Sequence, residues 1–170
     1  EDSYLLAEEI KKYLSLLKNK NIRILDMGSG SGIQAETCIH AGVSRKNIIT
    51  SDITPEAVNH LKAKGFNAIL SDLFSNIQGK FNLIIFNPPY LPESKYDKEK
   101  DTTGGKKGYE TIIKFLKQAR SQLNKYGKIF IVFSSLTNLK KSMIEGYKIK
   151  EKARKNIFFE ELIVWQLKKS

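Results

Sequence analysis

Asp26-Met27-Gly28-Ser29-Gly30-Ser31-Gly32 is the stretch from which the fold can be read. It follows an apolar run at 22–25 and opens a helix-compatible segment at 30–41 that Gly42 closes. A strand that runs through a glycine turn into a helix is the entry to a nucleotide-cofactor domain, because glycine lets the backbone approach a ligand and take dihedrals that other residues resist. The helix N-terminus beyond the turn is expected to offer free N–H groups to a negatively charged group. Two details narrow the cofactor. The spacing is Gly-x-Gly-x-Gly, not the Gly-x-Gly-x-x-Gly of dinucleotide binders, and an acid, Asp26, heads the turn. A carboxylate there repels a pyrophosphate and suits a cofactor with an ammonium or sulfonium centre.

Working outward, strand-like runs recur, each ending on one polar residue: 22–25 before Asp26, 47–50 before Asp52, 67–70 before Asp72 and 81–86 before Asn87. Between them lies a second helical stretch, 55–64, closed by Gly65; Thr54-Pro55-Glu56-Ala57 reads as an N-cap with proline at the first helical position. An amphipathic helix at 3–18 precedes the first strand, with Leu6, Ile10, Tyr13, Leu14 and Leu17 on one face. Downstream come a polar stretch at 91–107, long for a simple connection, a helix at 108–123 and a buried strand at 128–133. Two further strands, 147–152 and 158–167, joined by a short basic turn, are expected to supply the last edge of the sheet. Alternating strands and helices predict an α/β domain, one unit over 1–170, with a mainly parallel sheet and helices on both faces.

The strand ends carry the chemistry. Asp52, about 20 residues past the glycines, is placed to accept hydrogen bonds from two ribose hydroxyls; its competing reading is a cap for the helix that begins at Pro55. Asp72 with Leu73 suits the amino group and face of an adenine, the competing reading being an ordinary surface turn. Three acids at three successive strand ends put three acceptors along one crevice, where doubly wound sheets bind ligands. Asn87-Pro88-Pro89-Tyr90 is the most specific signal. The Asn87 side-chain carbonyl and the Pro88 backbone carbonyl can accept both hydrogens of one planar amide or amino group, Pro88 and Pro89 stiffen them, and Tyr90 can cover the flat face.

Composition bounds the rest. The 170 residues, 41% hydrophobic and 28% charged, describe an ordinary globular chain. No apolar run nears the roughly 20 residues that span a bilayer, and Cys38 is the only cysteine, which excludes an internal disulfide and a multi-cysteine zinc site. No membrane, no resident metal and a cytoplasmic setting are expected; His40, His60 and Cys38 read as structural or surface residues. The 29 basic against 18 acidic residues give a net charge of +11, which points toward an anionic partner. Yet 25 of the 29 are Lys and only Arg23, Arg45, Arg120 and Arg154 are Arg, the residue preferred for bidentate recognition of bases and phosphates. A solvated surface explains the charge equally well.

In order and spacing, Glu1-Asp2-Ser3-Tyr4-Leu5-Leu6, the glycine turn from Asp26, Asp52, Asp72-Leu73, Asn87-Pro88-Pro89-Tyr90 and Gly104-Gly105 with Gly108 resemble the HemK-type amide methyltransferases, specifically their short archaeal and eukaryotic branch. The resemblance implies the class I S-adenosylmethionine-dependent methyltransferase (Rossmann-like) fold, with a mostly parallel seven-stranded sheet and an antiparallel final strand. It implies S-adenosylmethionine as cofactor, held by Ser3, Asp26, Gly28, Ser29, Gly30, Gly32, Asp52, Asp72, Leu73 and Asn87, with Asn87, Pro88, Pro89 and Tyr90 as the catalytic set. It further implies transfer to the side-chain amide of glutamine in the Gly-Gly-Gln motif of a translation release factor, with a small zinc-ribbon activating subunit in a heterodimer. Ser3 stands where the family usually has Thr, and the chain starts without Met, so a few missing residues are expected ahead of Glu1. The rival reading is an RNA or DNA base methyltransferase, since the same site holds an exocyclic amine; nucleic acid is the secondary partner. A third reading, an inactive stabilising subunit, requires degraded site residues, and none is degraded.

Overall fold

A computed structural model describes residues 1–88 and 108–170. Helix α1 (Asp2–Ser15) leads into strand β1 (Ile24–Met27), followed by α2 (Ile33–His40), β2 (Ile48–Asp52), α3 (Pro55–Ala63), β3 (Asn67–Leu70) and β4 (Phe81–Phe86). Then come α4 (Glu110–Ala119), β5 (Leu123–Ser134), β6 (Tyr147–Ile157) and β7 (Glu160–Lys169). The described strands form one seven-stranded sheet in the order β3-β2-β1-β4-β5-β7-β6. The first five in that order run parallel, and β7 is antiparallel to both β5 and β6.

The period-two alternation of side chains sends successive residues to opposite faces, and both faces are covered. Ile24, Leu83, Ile85, Phe130 and Val132 pack under α1, α2 and α3, through Leu6, Ile10, Leu14, Cys38 and Leu61. Leu25, Ile84, Phe86, Ile129 and Ile131 face α4, through Ile112, Phe115, Leu116 and Ala119. Burial on both faces is why β1 and β4 read as continuous apolar runs. Phe115 of α4 packs against Phe86 of β4 with the rings tilted and their centroids 4.2 Å apart. Thr54 caps α3, its Oγ accepting from the Ala57 N–H at 3.4 Å with Pro55 next to it.

Several expected boundaries move. The first helix ends at Ser15, short of 18, because Lys20 Nζ reaches back to the Leu14 and Leu17 carbonyls and terminates it. Strand β5 starts at Leu123, five residues ahead of 128, with a register shift where Phe81 and Leu83 pair with it. The basic segment expected as a turn continues β6 to Ile157, paired residue by residue with β7, and the turn is Phe158-Phe159. Charge misled the reading there: alternating cations are compatible with an edge strand, where they face solvent. That edge belongs to β6, since the final strand β7 lies inside it.

Candidate active site

The sheet order places β1 at the switch point, with β2 on one side and β4 on the other, and ligands of open α/β sheets bind beyond the carboxyl ends of strands there. Register sets the depth of each acid. Asp26 lies level with Thr50 of β2, so Asp52 stands two residues further out. Asp52 in turn is level with Leu70 of β3, so Asp72 stands two residues beyond that. Each two-residue step is roughly 7 Å of strand. The acids therefore climb from floor to rim: Asp26 is 1% exposed, Asp52 half-buried and Asp72 exposed.

Asp26 accepts from Ser29 Oγ at 2.6 Å, and the backbone of Ala35 in the first turn of α2 favours its charged form. The N-terminus of α2 thus faces a carboxylate of the chain itself. Burial, joined by the nearby charge of Asp52, pushes the Asp26 carboxyl up to about 7 against the pull of Ser29 and the Ala35 backbone. A carboxyl so desolvated and facing a second acid is stabilised as an anion by a cation placed beside it. That environment fits a cofactor bearing an ammonium or sulfonium centre.

Asp52 Oδ2 accepts from the Gly30 N–H at 3.0 Å and Oδ1 from the Thr54 N–H at 3.0 Å. It fastens the glycine turn to the end of β2, while Thr54 supplies the cap of α3, so the helix-cap reading of Asp52 does not hold. Gly28, at φ +68°, brings β1 close to β4: a Cβ there would lie 3.5 Å from the Asn87 carbonyl and 3.6 Å from the Phe86 ring. At Gly30, φ +54°, the same position has no atom within 4 Å, leaving that side open for close approach of a ligand. Gly32 is the N-cap of α2.

Leu73 holds a positive φ of 50°, a conformation that costs a branched residue about 1–2 kcal/mol. Ser71 Oγ donates to the Leu73 carbonyl at 2.6 Å, and the Phe74 N–H donates to Gln118 Oε1 of α4 at 3.3 Å. The turn after β3 is thereby held in a strained shape, as turns at ligand sites often are.

On the other side of the crevice, Asn87 Nδ2 donates to Ser3 Oγ at 3.2 Å, and the Ser3 carbonyl accepts from Gln34 Nε2 at 2.8 Å. This chain joins the first turns of α1 and α2 to the end of β4. The structure thus puts Ser3 on Asn87. Gln34 was missed in the sequence; it is buried, and its Oε1 has no hydrogen-bond partner among the described residues. Its one signal was a glutamine in the first turn of the helix that follows the glycines. Pro88 is buried; Pro89, Tyr90, Gly104 and Gly105 lie outside the described residues. His40 and His60 are exposed and Cys38 is buried, with burial pushing its thiol well up. Among the described residues no helix is long and apolar enough to cross a membrane, and no group of three or more His, Cys, Asp or Glu side chains could hold a metal.

A Rossmann-like sheet with acceptors stepping outward from its switch point is the architecture of cofactor-dependent group transfer. The chain belongs to the methyltransferase small domain family, whose sequence model matches residues 3–160, and it is a methyltransferase of the class I S-adenosylmethionine-dependent fold. A Methanocaldococcus jannaschii protein, provisionally named a protein N5-glutamine methyltransferase, is 38% identical over 98% of this chain and 90% of its own length. The release factor glutamine methyltransferase of Borreliella burgdorferi is 33% identical over 76% of the chain, which spans 50% of that protein. The ribosomal RNA small subunit methyltransferase C of Haemophilus influenzae is also 33% identical, over 70% of this chain and 34% of its own. Among solved structures, a chain of the E. cuniculi Mtq2–Trm112 complex, described as responsible for methylation of the translation termination factor eRF1, superposes with a TM-score of 0.78 at 22% identity, covering 99% of this chain and 95% of that one.

Proposed function

We propose that this chain is one methyltransferase domain that transfers the methyl group of S-adenosylmethionine to the side-chain amide nitrogen of glutamine, in the Gly-Gly-Gln motif of a translation termination factor, in the cytoplasm. The observation that carries the reading is the orientation of Asn87: with Nδ2 donating to Ser3 Oγ at 3.2 Å, Oδ1 is the end left to accept. Beside it the Pro88 carbonyl is a second acceptor on a residue with no N–H of its own. Two acceptors fit the two hydrogens of a primary amide and aim its nitrogen out of the β4 end toward the crevice.

The cofactor, when bound, supplies an electrophilic methyl group on a sulfonium. The chain's residues do the rest. Asp26, at the floor, holds the cationic amino end; Asp52 accepts from the ribose hydroxyls; Asp72 and Leu73 hold the adenine. Asn87 and Pro88 fix the amide while Tyr90 covers its face; the nitrogen keeps both protons during attack, so no general base is needed before transfer, and the methylated nitrogen then releases one proton to water. Proximity and orientation are then the main source of rate, worth up to about 7–11 kcal/mol in well-aligned systems.

The likeness to Mtq2 and to the named glutamine methyltransferases supports the protein substrate, and the Trm112 of that complex supports a small activating subunit, of zinc-ribbon type, in a heterodimer. The likeness to a ribosomal RNA methyltransferase supports a second reading, transfer to an exocyclic base amine. One experiment separates them: incubation of the enzyme with its subunit, labelled cofactor and, in parallel, a termination factor, ribosomal RNA and DNA. Label on the Gly-Gly-Gln glutamine, located by mass spectrometry, is expected; label on nucleic acid alone refutes the protein substrate.

A further inference from the structure

The hairpin that closes the sheet ends in two aromatic residues that folding does not explain. Phe158 and Phe159 are 99% and 85% exposed. They form a two-residue loop between the paired residues Ile157 and Glu160, and Phe158 holds φ at +54°. Such loops are normally built from glycine, asparagine or aspartate, which accept positive φ and are soluble. Phenylalanine is a poor choice on both counts, in backbone strain and in exposed apolar surface.

The hairpin is also held firmly and in a telling place. Leu162 of β7 pairs with Ser134, the carboxyl end of β5, so the loop projects from the same end of the sheet as Asn87. At its root Arg154 pairs with Glu151 at 2.6 Å and with Glu161, and the Glu161 N–H donates to Ser135 Oγ at 2.9 Å. Lys155 pairs with Glu1 at 3.2 Å, two residues from Ser3, which carries Asn87. The aromatic tip is thus continuous with the substrate side of the crevice. Up to three strand spacings sideways and about five residues along the strand put it roughly 20 Å from Asn87, a span that about six extended residues bridge.

We infer that Phe158 and Phe159 are the docking knob for the protein substrate, seated in an apolar depression of that protein some six residues or more from the methylated amide. The inference rests on the protein-glutamine reading of the site. Two phenylalanines offer roughly 300–500 Å² of apolar surface, about half of one partner's share of a standard interface. That is an anchor that needs the crevice contacts to complete it. A small base or a short peptide cannot use the knob; a folded protein can.

The test compares the parent with Phe158→Gly and Phe159→Ser, each with the activating subunit, on a folded termination factor and on a short Gly-Gly-Gln peptide. Binding of the factor is followed by interferometry and folding by thermal melts. The knob predicts a KM for the folded factor raised at least tenfold, and binding weakened in parallel. Turnover of the peptide and affinity for the cofactor should stay unchanged. Phe158→Gly should melt no lower than the parent, because glycine accepts φ +54°, which separates lost docking from lost folding. Parental KM on the folded factor overturns the inference, as does an equal loss on the peptide. A change in self-association, or weakened binding of the activating subunit, that accounts for the KM change overturns it as well. A parent that neither binds nor methylates the factor overturns the substrate reading together with this one, whereas a parent that methylates it while both variants match it overturns this one alone.

Discussion

At the scale of the residue, the site turns on two groups whose ordinary behaviour the fold has changed. Asn87 could present either end of its amide; Ser3 Oγ takes Nδ2 and so leaves the acceptor end for the proposed substrate amide. Asn87→Ala should lower kcat by at least about 100-fold, since misplacement of about 1 Å costs that much. Cofactor affinity by calorimetry should stay within about twofold, because the amino, ribose and adenine contacts proposed at Asp26, Asp52 and Asp72 follow other strands and would outweigh any contact from Asn87. Asp26 ionises near pH 4 in the unfolded chain and at about 7 in the fold. Between those values the folded state keeps a proton that the unfolded state has lost, so its contribution to stability is full below pH 4, declines by up to about 1.4 kcal/mol per pH unit, and is gone above 7. Melting curves of the cofactor-free protein should therefore fall less steeply from pH 4.5 to 7.5 in Asp26→Asn than in the parent. The same ionisation makes binding of a cationic cofactor roughly tenfold tighter at pH 8 than at pH 6, and Asp26→Asn should abolish that difference in calorimetry.

At the scale of the element, the strands set how deep each acid sits and the helix caps set how firmly the turns are held. Thr54 both caps α3 and donates its N–H to Asp52. Thr54→Ala should cost about 1 kcal/mol of stability in urea unfolding, and a loss of several kcal/mol would show that Thr54 carries more than a cap. Most elements were legible because their signals are local. Strands 67–70 and 81–86 stand where the apolar runs put them, and α3 starts at Pro55 as its cap and proline specify. The start of β5 and the length of β6 were not legible. Leu123 joins β5 only through Phe81, far back in the sequence and across a register shift, and 153–157 pair with 160–164 around a Phe158-Phe159 loop that carries none of the usual turn residues.

At the scale of the whole molecule, the sheet has two edges of opposite character. The β6 edge is long and carries Lys148, Lys150, Lys152, Arg154 and Lys155, the charges by which edges resist unwanted pairing. The β3 edge, Asn67–Leu70, carries no charge, and Leu70 and nearby Ile53 are exposed there, at 46% and 36%. The activating subunit proposed above is expected to cover that edge. The chain alone should then be poorly active, and Leu70→Lys should weaken the subunit's binding at least tenfold by calorimetry. Full activity without a subunit, or unchanged binding in Leu70→Lys, refutes this assignment.

What the sequence by itself determined is the set of local signals: the glycine turn, the polar residues that end each strand, the capped helix, and the Asn87-Pro88 pair. These follow from the dihedrals, periodicity and hydrogen-bonding capacity of a few neighbouring residues, and so they survive without knowledge of the rest of the chain. Only the tertiary structure decided that Asp26 is buried deeply enough to titrate near neutrality, that Ser3 and Gln34 hold Asn87, and that a pair of phenylalanines stands exposed at the catalytic end of the sheet. Burial, register and contacts between residues as far apart in sequence as Glu1 and Lys155 are properties of packing, which no short stretch of sequence contains.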